Sequence, residues 1–221
     1  MEKIINDFFN AYVRFTSMRA VYVKEQIPEA MMASPVDNDG WFEWKLLAGS
    51  IPSTEYGALY RKYSISLPEL FTRWHQKYFF LDGDCSIVRL PFSSPIAHLD
   101  EISNILNNDL AKELIAQKLY PFAMQGNDNG FLIFDARKHS ETQNYPIRNF
   151  DNYSIDLEDG LGEIVFSSFE KMLECLTYFL KATYSQNPAE VIPQFFHLDP
   201  DGAGKYGIDY WLSWVTLYEG D

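Results

Sequence analysis

The residues from Gly202 to Gly207 carry the Gly-x-Gly-x-x-Gly spacing of a dinucleotide-binding loop. Such a loop holds a pyrophosphate when a helix follows at once and a second strand brings an acidic residue about 20 residues later. Too few residues follow Gly207 in the sequence to build both elements. We therefore predict a turn between two aromatic strands here, and no nucleotide cofactor.

The same segment also matches part of a calcium-binding loop. Asp199, Asp201 and Gly204 fall at the first, third and sixth positions of such a loop. Ala203 and Tyr210 stand at the fifth and twelfth positions, where oxygen ligands are needed. Without those ligands most of the oxygen shell is missing, so we predict no metal site in this segment.

Other residue types that could do chemistry are scattered. The side chains with nitrogen or sulfur ligand atoms are His75, His98, His139, His197, Cys85 and Cys175. They show no zinc-type spacing, so a hydrogen-bonded structural role is expected for each histidine and burial for Cys175. The sequence contains neither a Gly-x-Ser-x-Gly elbow nor a phosphate loop. We predict no catalytic residue, although a hydrolase built from distant residues stays open as an alternative.

Charge narrows the choice of partner. The chain of 221 residues has 31 Asp and Glu against 18 Lys and Arg, a formal net charge of −13. Such a surface repels nucleic acids and anionic membranes and attracts basic proteins. Arg61-Lys62 and Arg137-Lys138 are isolated basic pairs, so the sequence lacks the cluster of basic residues that is typical of a nucleic-acid-binding protein. We expect a basic protein partner; a purely solubilising role of the charge is the alternative.

Composition and the N-terminal residues indicate a globular cytoplasmic protein. Hydrophobic residues make up 47% of the chain and aromatic residues 16%, which excludes disorder over the whole length. Glu2 and Asp7 interrupt the first residues, so no signal peptide is expected. No stretch reaches the roughly 18 apolar residues that a membrane helix requires.

Hydrophobic periodicity and capping signals predict the helices. Apolar residues recur at helical spacing in three stretches, and two Ser-x-x-Glu capping boxes, at Ser66 and Ser167, indicate further helix starts. The predicted helices cover residues 3–22, 53–63, 66–78, 102–115 and 167–180.

Strands are predicted where short apolar runs lie between turn residues. The sequence from Gly126 to Gly130 is typical of a hairpin connection. The predicted strands cover residues 41–47, 87–90, 120–124, 131–134, 151–157 and 164–166. Because helices and strands are mixed without regular alternation, we predict a single α+β domain.

Two blocks within residues 41–180 resemble the SUKH superfamily of immunity proteins and cell-wall regulators. The matching residues, in the order of the family, are Trp44-Lys45, Pro52-Ser53, Leu67-Pro68 with the helix to Tyr78, Tyr120-Pro121-Phe122-Ala123, Gly126 to Gly130, Phe131 to Asp135, and Ser168 to Leu173. The strand at Trp41 departs from the family pattern. The resemblance implies a central, mostly antiparallel sheet flanked by helices. We expect residues 1–40, an N-terminal helix and loop, and residues 181–221, an aromatic extension, to pack on this domain.

The resemblance also implies a function without catalysis, namely that of an immunity protein which neutralises a cognate toxin, often a nuclease. An acidic face can dock on the basic cleft with which a nuclease holds phosphates. We take acids in the predicted loops as the contact residues. They are Asp82, Asp84, Asp128, Asp156, Glu158 and Asp159. A regulatory or scaffolding module with an endogenous partner is the alternative.

Overall fold

The computed structural model of the protein describes residues 1–24, 27–49, 51–138, 143–154 and 156–220. The helices are α1 (Glu2–Phe15), α2 (Ser53–Tyr63), α3 (Glu69–Lys77), α4 (Asp100–Asn107), α5 (Asp109–Ala116), α6 (Leu157–Gly160), α7 (Phe169–Ala182), α8 (Pro188–Val191), α9 (Phe195–Leu198) and α10 (Ile208–Glu219). The strands are β1 (Arg19–Val21), β2 (Trp41–Glu43), β3 (Leu47–Ala48), β4 (Tyr78–Phe79), β5 (Val88–Arg89), β6 (Leu119–Gln125), β7 (Phe131–Asp135), β8 (Ile147–Phe150) and β9 (Leu161–Phe166).

The strands β5 to β9 form a five-stranded antiparallel sheet in chain order. The predicted hairpin joins β6 to β7, and the backbone N–H of Gln125 donates to the carbonyl of Gly130 at 2.8 Å. Gly126 has to be a glycine, because a Cβ atom there would lie 1.8 Å from the carbonyl oxygen of Ser86. The predicted α+β fold class is confirmed.

Apolar side chains alternate between the two faces of the sheet and build two cores. On the first face, Phe122 stacks on Phe134 with ring centroids 3.8 Å apart, beneath Phe169 of α7. On the second face, Leu119 and Ile133 pack with Leu114 of α5. Helices α4 and α5 lie over β6, and Phe150 of β8 belongs to the same core. The part of this face around Arg148 of β8 and Ile164 of β9 is left open.

Helix α1 packs on α7 and ends earlier than predicted. Its buried side chains include Phe9, whose ring stacks on Trp74 with centroids 5.9 Å apart. At Thr16 the backbone becomes extended, and the chain continues into β1, which pairs with β2. The prediction of a helix up to residue 22 is therefore wrong, because strand pairing with β2 takes over its last residues.

Two further helix predictions need correction. The capping box at Ser66 is absent: α3 begins at Glu69 after Pro68, and the Ser66 hydroxyl accepts a hydrogen bond from Gln143 Nε2 at 2.7 Å instead. The predicted helix over residues 102–115 is two helices. The chain breaks at Asn108, whose side chain caps α5 by accepting from the Leu110 N–H at 2.9 Å.

The predicted strand over residues 151–157 is also wrong. The chain makes a turn there and enters α6, a single helical turn. Asp156 Oδ1 accepts a hydrogen bond from the N–H of Asp159 at 2.9 Å, which stabilises this helical turn. The neighbouring strand lies earlier, at β8.

The C-terminal aromatic run forms a helix rather than a strand. Trp211 and Trp214 stand three residues apart and so share the buried face of α10. The indole N–H of Trp211 donates to the carbonyl of Val165 on β9 at 2.9 Å. The C-terminal segment thus covers the edge strand of the sheet, which would otherwise offer unpaired backbone groups to other chains.

The glycine-rich loop before α10 is a structural element. The buried carboxylate of Asp199 accepts hydrogen bonds from the Ser167 N–H at 2.7 Å, the Ser167 hydroxyl at 2.5 Å and the Gly202 N–H at 3.2 Å. A Cβ atom at position 202 would meet the Ser167 nitrogen at 2.1 Å. The loop's glycines therefore serve close packing, and the turn they form joins two helices rather than two strands.

Candidate protein-binding site

The six acids predicted as contact residues all lie at one end of the sheet. Neighbouring strands of an antiparallel sheet run in opposite directions. The same end of this sheet therefore contains the starts of β5, β7 and β9 and the ends of β6 and β8. The three connections at that end cover residues 82–87, 126–130 and, as far as the structure describes them, 151–154 and 156–160. We call these connections the acidic end; they carry Asp82, Asp84, Asp128, Asp156, Glu158 and Asp159.

Asp82 and Asp84 are fixed by the turn that leads into β5. Asp82 Oδ1 accepts from the N–H of Asp84 at 3.0 Å, and Asp84 Oδ1 accepts from the N–H of Ser86 at 2.7 Å. The Tyr12 hydroxyl donates to the backbone carbonyl of Asp82 at 2.6 Å and ties this turn to α1. Each carboxylate keeps its second oxygen free of hydrogen bonds to the described residues. Both acids are therefore held in place and still able to accept from a partner.

Among the described residues, Asp128 is the member of the acidic end that has a partner of opposite charge. Its Oδ1 atom lies 3.0 Å from Arg89 Nη1, and the two side chains are 64% and 47% exposed. Burial and the charge of Asp100 raise the pKa of Glu101 above its usual range, and the charge of Arg89 offsets part of this rise. Arg89 thus joins the acidic end to the carboxylates of α4.

The loop between β8 and β9 adds an aromatic residue to the acids. Tyr153 is 79% exposed, the most exposed large apolar side chain among the described residues. Its backbone N–H donates to Asp151 Oδ1 at 2.9 Å, and Glu158 and Asp159 stand exposed on α6 beyond it. Tyrosine is enriched among the residues that dominate binding energy at protein interfaces. This loop can therefore offer both charge and contact area.

An apolar groove of about 430 Å³ lies next to the acidic end. Its walls come from β1 and the residues after it, from Leu81 beside Asp82, and from the segment that leads into α4. Val21 and Ile96 in these walls are 51% and 56% exposed. The residues that define the apolar groove are Val21, Val23, Leu81, Ile96, Asp100 and Glu101. Exposed apolar side chains with carboxylates on their margin suit a side chain from another protein.

The buried histidine His75 has a structural setting. His75 Nδ1 lies 2.5 Å from the Tyr56 hydroxyl and His75 Nε2 lies 3.3 Å from the Phe92 carbonyl. Burial lowers the pKa of His75 to about 4, so the ring is neutral near pH 7. His98 Nε2 contacts Glu55 Oε2 at 2.5 Å, and Cys85 and Cys175 are buried free thiols. His139 lies outside the described residues.

In the parts of the chain that the structure describes, no group of three or more His, Cys, Asp or Glu side chains is arranged to hold a metal ion. No helix in those parts is long and apolar enough to cross a membrane. Near the predicted residues, the described surface carries exposed apolar and acidic side chains.

Comparisons of the chain with protein-family models, with curated proteins and with solved structures find no match. The resemblance to the SUKH superfamily therefore stays a prediction that depends on the sequence motifs alone. No local sequence pattern predicts the apolar groove as a whole, because its walls come from three separate segments. The alternating Val21 and Val23 beside a short strand were the one local signal of it.

Proposed function

We propose that this protein binds a basic protein partner through the acidic end and the apolar groove, and that it acts without catalysis as an immunity protein against a cognate toxin. The observation that carries the proposal is the groove itself. Val21 and Ile96 are exposed apolar side chains within a hollow whose margin carries Glu101. A partner with an apolar side chain next to a lysine or arginine matches this pattern of surface.

The two parts of the surface contribute differently to binding. Burying one large aliphatic side chain in the groove stabilises a complex by roughly 1.5–3 kcal/mol. The carboxylates of the acidic end raise the association rate by attracting a basic partner over distance. A nuclease toxin, whose active cleft is basic, would be attracted in this way. The net charge of −13 and the SUKH-type motifs support this choice of partner.

The acids of the acidic end suit binding better than acid–base catalysis. Asp84, Glu158 and Asp159 stand exposed on turns and on α6. General acid–base catalysis requires carboxyl groups that are positioned around an enclosed substrate. Carboxylates on open turns are instead accessible to the surface of a second protein.

The association rate with a toxin encoded by a neighbouring gene tests the proposal. In the double variant Glu158→Lys/Asp159→Lys the charge of the acidic end changes by four units. We expect association to slow about tenfold or more, with a weaker dependence on salt. The matched control is Glu113→Lys/Glu190→Lys, which changes the net charge equally at exposed positions on α5 and α8. Equal rates for the two double variants would contradict the proposal.

The groove has its own test. Ile96→Asp places a charge in an exposed wall of the groove and does not disturb the core. We expect faster dissociation of the complex, by about tenfold or more, with little change in the association rate. Co-purification with an endogenous protein, and no binding to the toxin, would favour a scaffolding module instead.

A further inference from the structure

A second hollow, lined by cations, lies on the same face of the sheet as α4 and α5, in the part that these helices leave uncovered. It has a volume of about 460 Å³ and is formed by side chains of β7, β8 and β9 and the residues that flank them. In the register of the sheet, Arg148 on β8 stands beside Ile164 on β9. The residues that line it are Asp135, Arg137, Lys138, Pro146, Arg148 and Ile164, and we call it the cationic cleft.

Asp135 organises the cations of this cleft. Its side chain is 9% exposed and accepts hydrogen bonds from Arg137 Nε at 2.8 Å, Arg137 Nη2 at 2.6 Å and Arg148 Nε at 2.7 Å. Burial alone would raise the pKa of Asp135, but the hydrogen bonds from the two arginines outweigh it and bring the pKa to about 2. The carboxylate is therefore charged at neutral pH, and both guanidinium groups are held in fixed positions.

The guanidinium groups keep unused donors. A guanidinium carries five N–H donors. Arg148 uses Nε and, through a 2.8 Å hydrogen bond to the Gly162 carbonyl, Nη1, which leaves Nη2. Arg137 uses Nε and Nη2 on Asp135, which leaves Nη1. Lys138 is exposed and has no hydrogen bond or ion pair within the described chain.

The cleft holds more positive charge than is needed to neutralise Asp135. One arginine would neutralise Asp135, yet Arg137 and Arg148 both bind it and Lys138 stands beside them. Among the described residues, Glu163 at the far side is the second carboxylate of this region, and its Oε2 atom accepts from the Tyr210 N–H at 3.4 Å. Three described cations thus face two described carboxylates in a protein whose net charge is −13. This excess is what an anionic ligand would balance.

The floor of the cleft is apolar and leads to an aromatic ring. A neighbouring hollow of about 510 Å³ shares Lys138, Arg148 and Ile164 with it and extends to Tyr206. Tyr206 is 49% exposed. A ligand with its anion at Arg148 could therefore lay a flat apolar group over Ile164 towards the Tyr206 ring.

We propose that the cationic cleft binds a phosphate monoester with a flat apolar group, its phosphate held by Arg137, Lys138 and Arg148 and its apolar part over Ile164. Paired guanidinium groups with fixed planes match the oxygens of a phosphate, and an ammonium group adds a point charge. This site is separate from the acidic end, and it holds or fails independently of the proposed protein partner.

Titration with phenyl phosphate, followed by amide chemical shifts, tests this site. We expect millimolar or tighter binding that shifts the signals of β8 and β9, and weaker binding of inorganic phosphate. Lys138→Gln removes a charge that has no ion pair within the described residues, so it should weaken the binding of phenyl phosphate about two- to fivefold without loss of stability. The matched control Lys181→Gln lies on α7, which covers the other face, and should bind as the unchanged protein does.

A second variant separates the two halves of the site. Tyr206→Ala should weaken the binding of phenyl phosphate and leave that of inorganic phosphate unchanged. The absence of phenyl phosphate binding at millimolar concentration would overturn the proposal. Equal affinities of the Lys138→Gln variant and the unchanged protein would overturn it as well.

Discussion

The acidic end and the cationic cleft both contain aspartate–arginine pairs, and the pairs differ in burial. At the acidic end, Asp128 and Arg89 are 3.0 Å apart and both are largely exposed. In the cleft, Asp135 is almost buried and is shared by Arg137 and Arg148. Water screens the first pair, whereas in the second a carboxylate removed from water depends on its arginines. The same kind of ion pair is therefore screened by water in one region and supports the folded structure in the other.

Removing the buried carboxylate should produce the largest effect. Asp135→Ala leaves two guanidinium groups without their acceptor, and we expect a loss of about 2–4 kcal/mol in the free energy of unfolding. Urea denaturation measures it. Because Arg137 is 40% exposed and can regain water, the value should lie toward the low end of that range. A loss below about 1 kcal/mol would show that the two regions do not differ as described.

The pH dependence of stability should show the same carboxylate. The pKa of Asp135 is lowered from 3.8 to about 2 in the folded protein. Its contribution is therefore complete above about pH 4 and is lost as the pH falls towards 2, by about 2 kcal/mol. Denaturation of the unchanged protein and of Asp135→Asn between pH 5 and 2 measures it, and equal slopes for both would contradict it.

Protonation of His75 should cause a separate loss of stability at higher pH, which serves as an internal control. Its pKa is lowered from 6.5 to about 4 by burial. The unfolded chain then binds a proton that the folded protein does not, so stability falls as the pH drops from about 6.5 to 4. This window lies above that of Asp135 and should be unchanged in Asp135→Asn.

At the acidic end, a smaller effect is expected from the cap of α6. Asp156→Ala removes the acceptor of the Asp159 N–H, and we expect a loss of about 0.5–1 kcal/mol in the free energy of unfolding. Asp156→Asn keeps an acceptor at this position and should retain most of the stability. A loss in the alanine variant as large as that in Asp135→Ala would remove the contrast between the regions.

The smallest effect on stability is expected at Asp128. Asp128→Asn removes the charge that faces Arg89, and because both side chains are exposed, we expect a change below about 0.5 kcal/mol. Thermal denaturation measures it. A clear loss of stability here would mean that the exposed pair supports the fold as the buried pair does.

Sequence patterns predicted the elements that depend on local chemistry. The turn from Gly126 to Gly130, helix α2 and a helix start near residue 168 follow from glycines and periodicity, and all three are present in the structure. The predicted capping box at Ser167 is wrong, because Ser168 caps α7 and the Ser167 hydroxyl donates to Asp199. The predictions failed where contacts outside the local pattern determine the structure. Pairing with β2 shortens α1, and the side chain of Asp156 favours a helical turn over a strand.

The candidate site was predicted in part, for a similar reason. The six acids were selected as loop residues, and their common location follows from the order of the strands, which no local pattern contains. In the structure Asp156 caps α6, and Glu158 and Asp159 lie on it. Arg137 reaches Asp135 from two residues away in the sequence, whereas Arg148, 13 positions away, reaches it only through the pairing of β7 with β8. Residue types therefore indicated which kinds of contact the site residues make, and strand pairing determined where in the fold those residues come together.

The contact between α1 and α7 has a consequence for how the chain folds. Strands β5 to β9 follow one another in sequence and can pair early, whereas docking of α1 on α7 closes a loop that contains the whole sheet. We therefore expect φ-values near zero for α1, for example from Ile5→Val, and higher values in the β6–β7 hairpin. A terminal helix that docks last can also dock on a second copy of the chain, so exchange of α1 between molecules is the expected misassembly at high concentration.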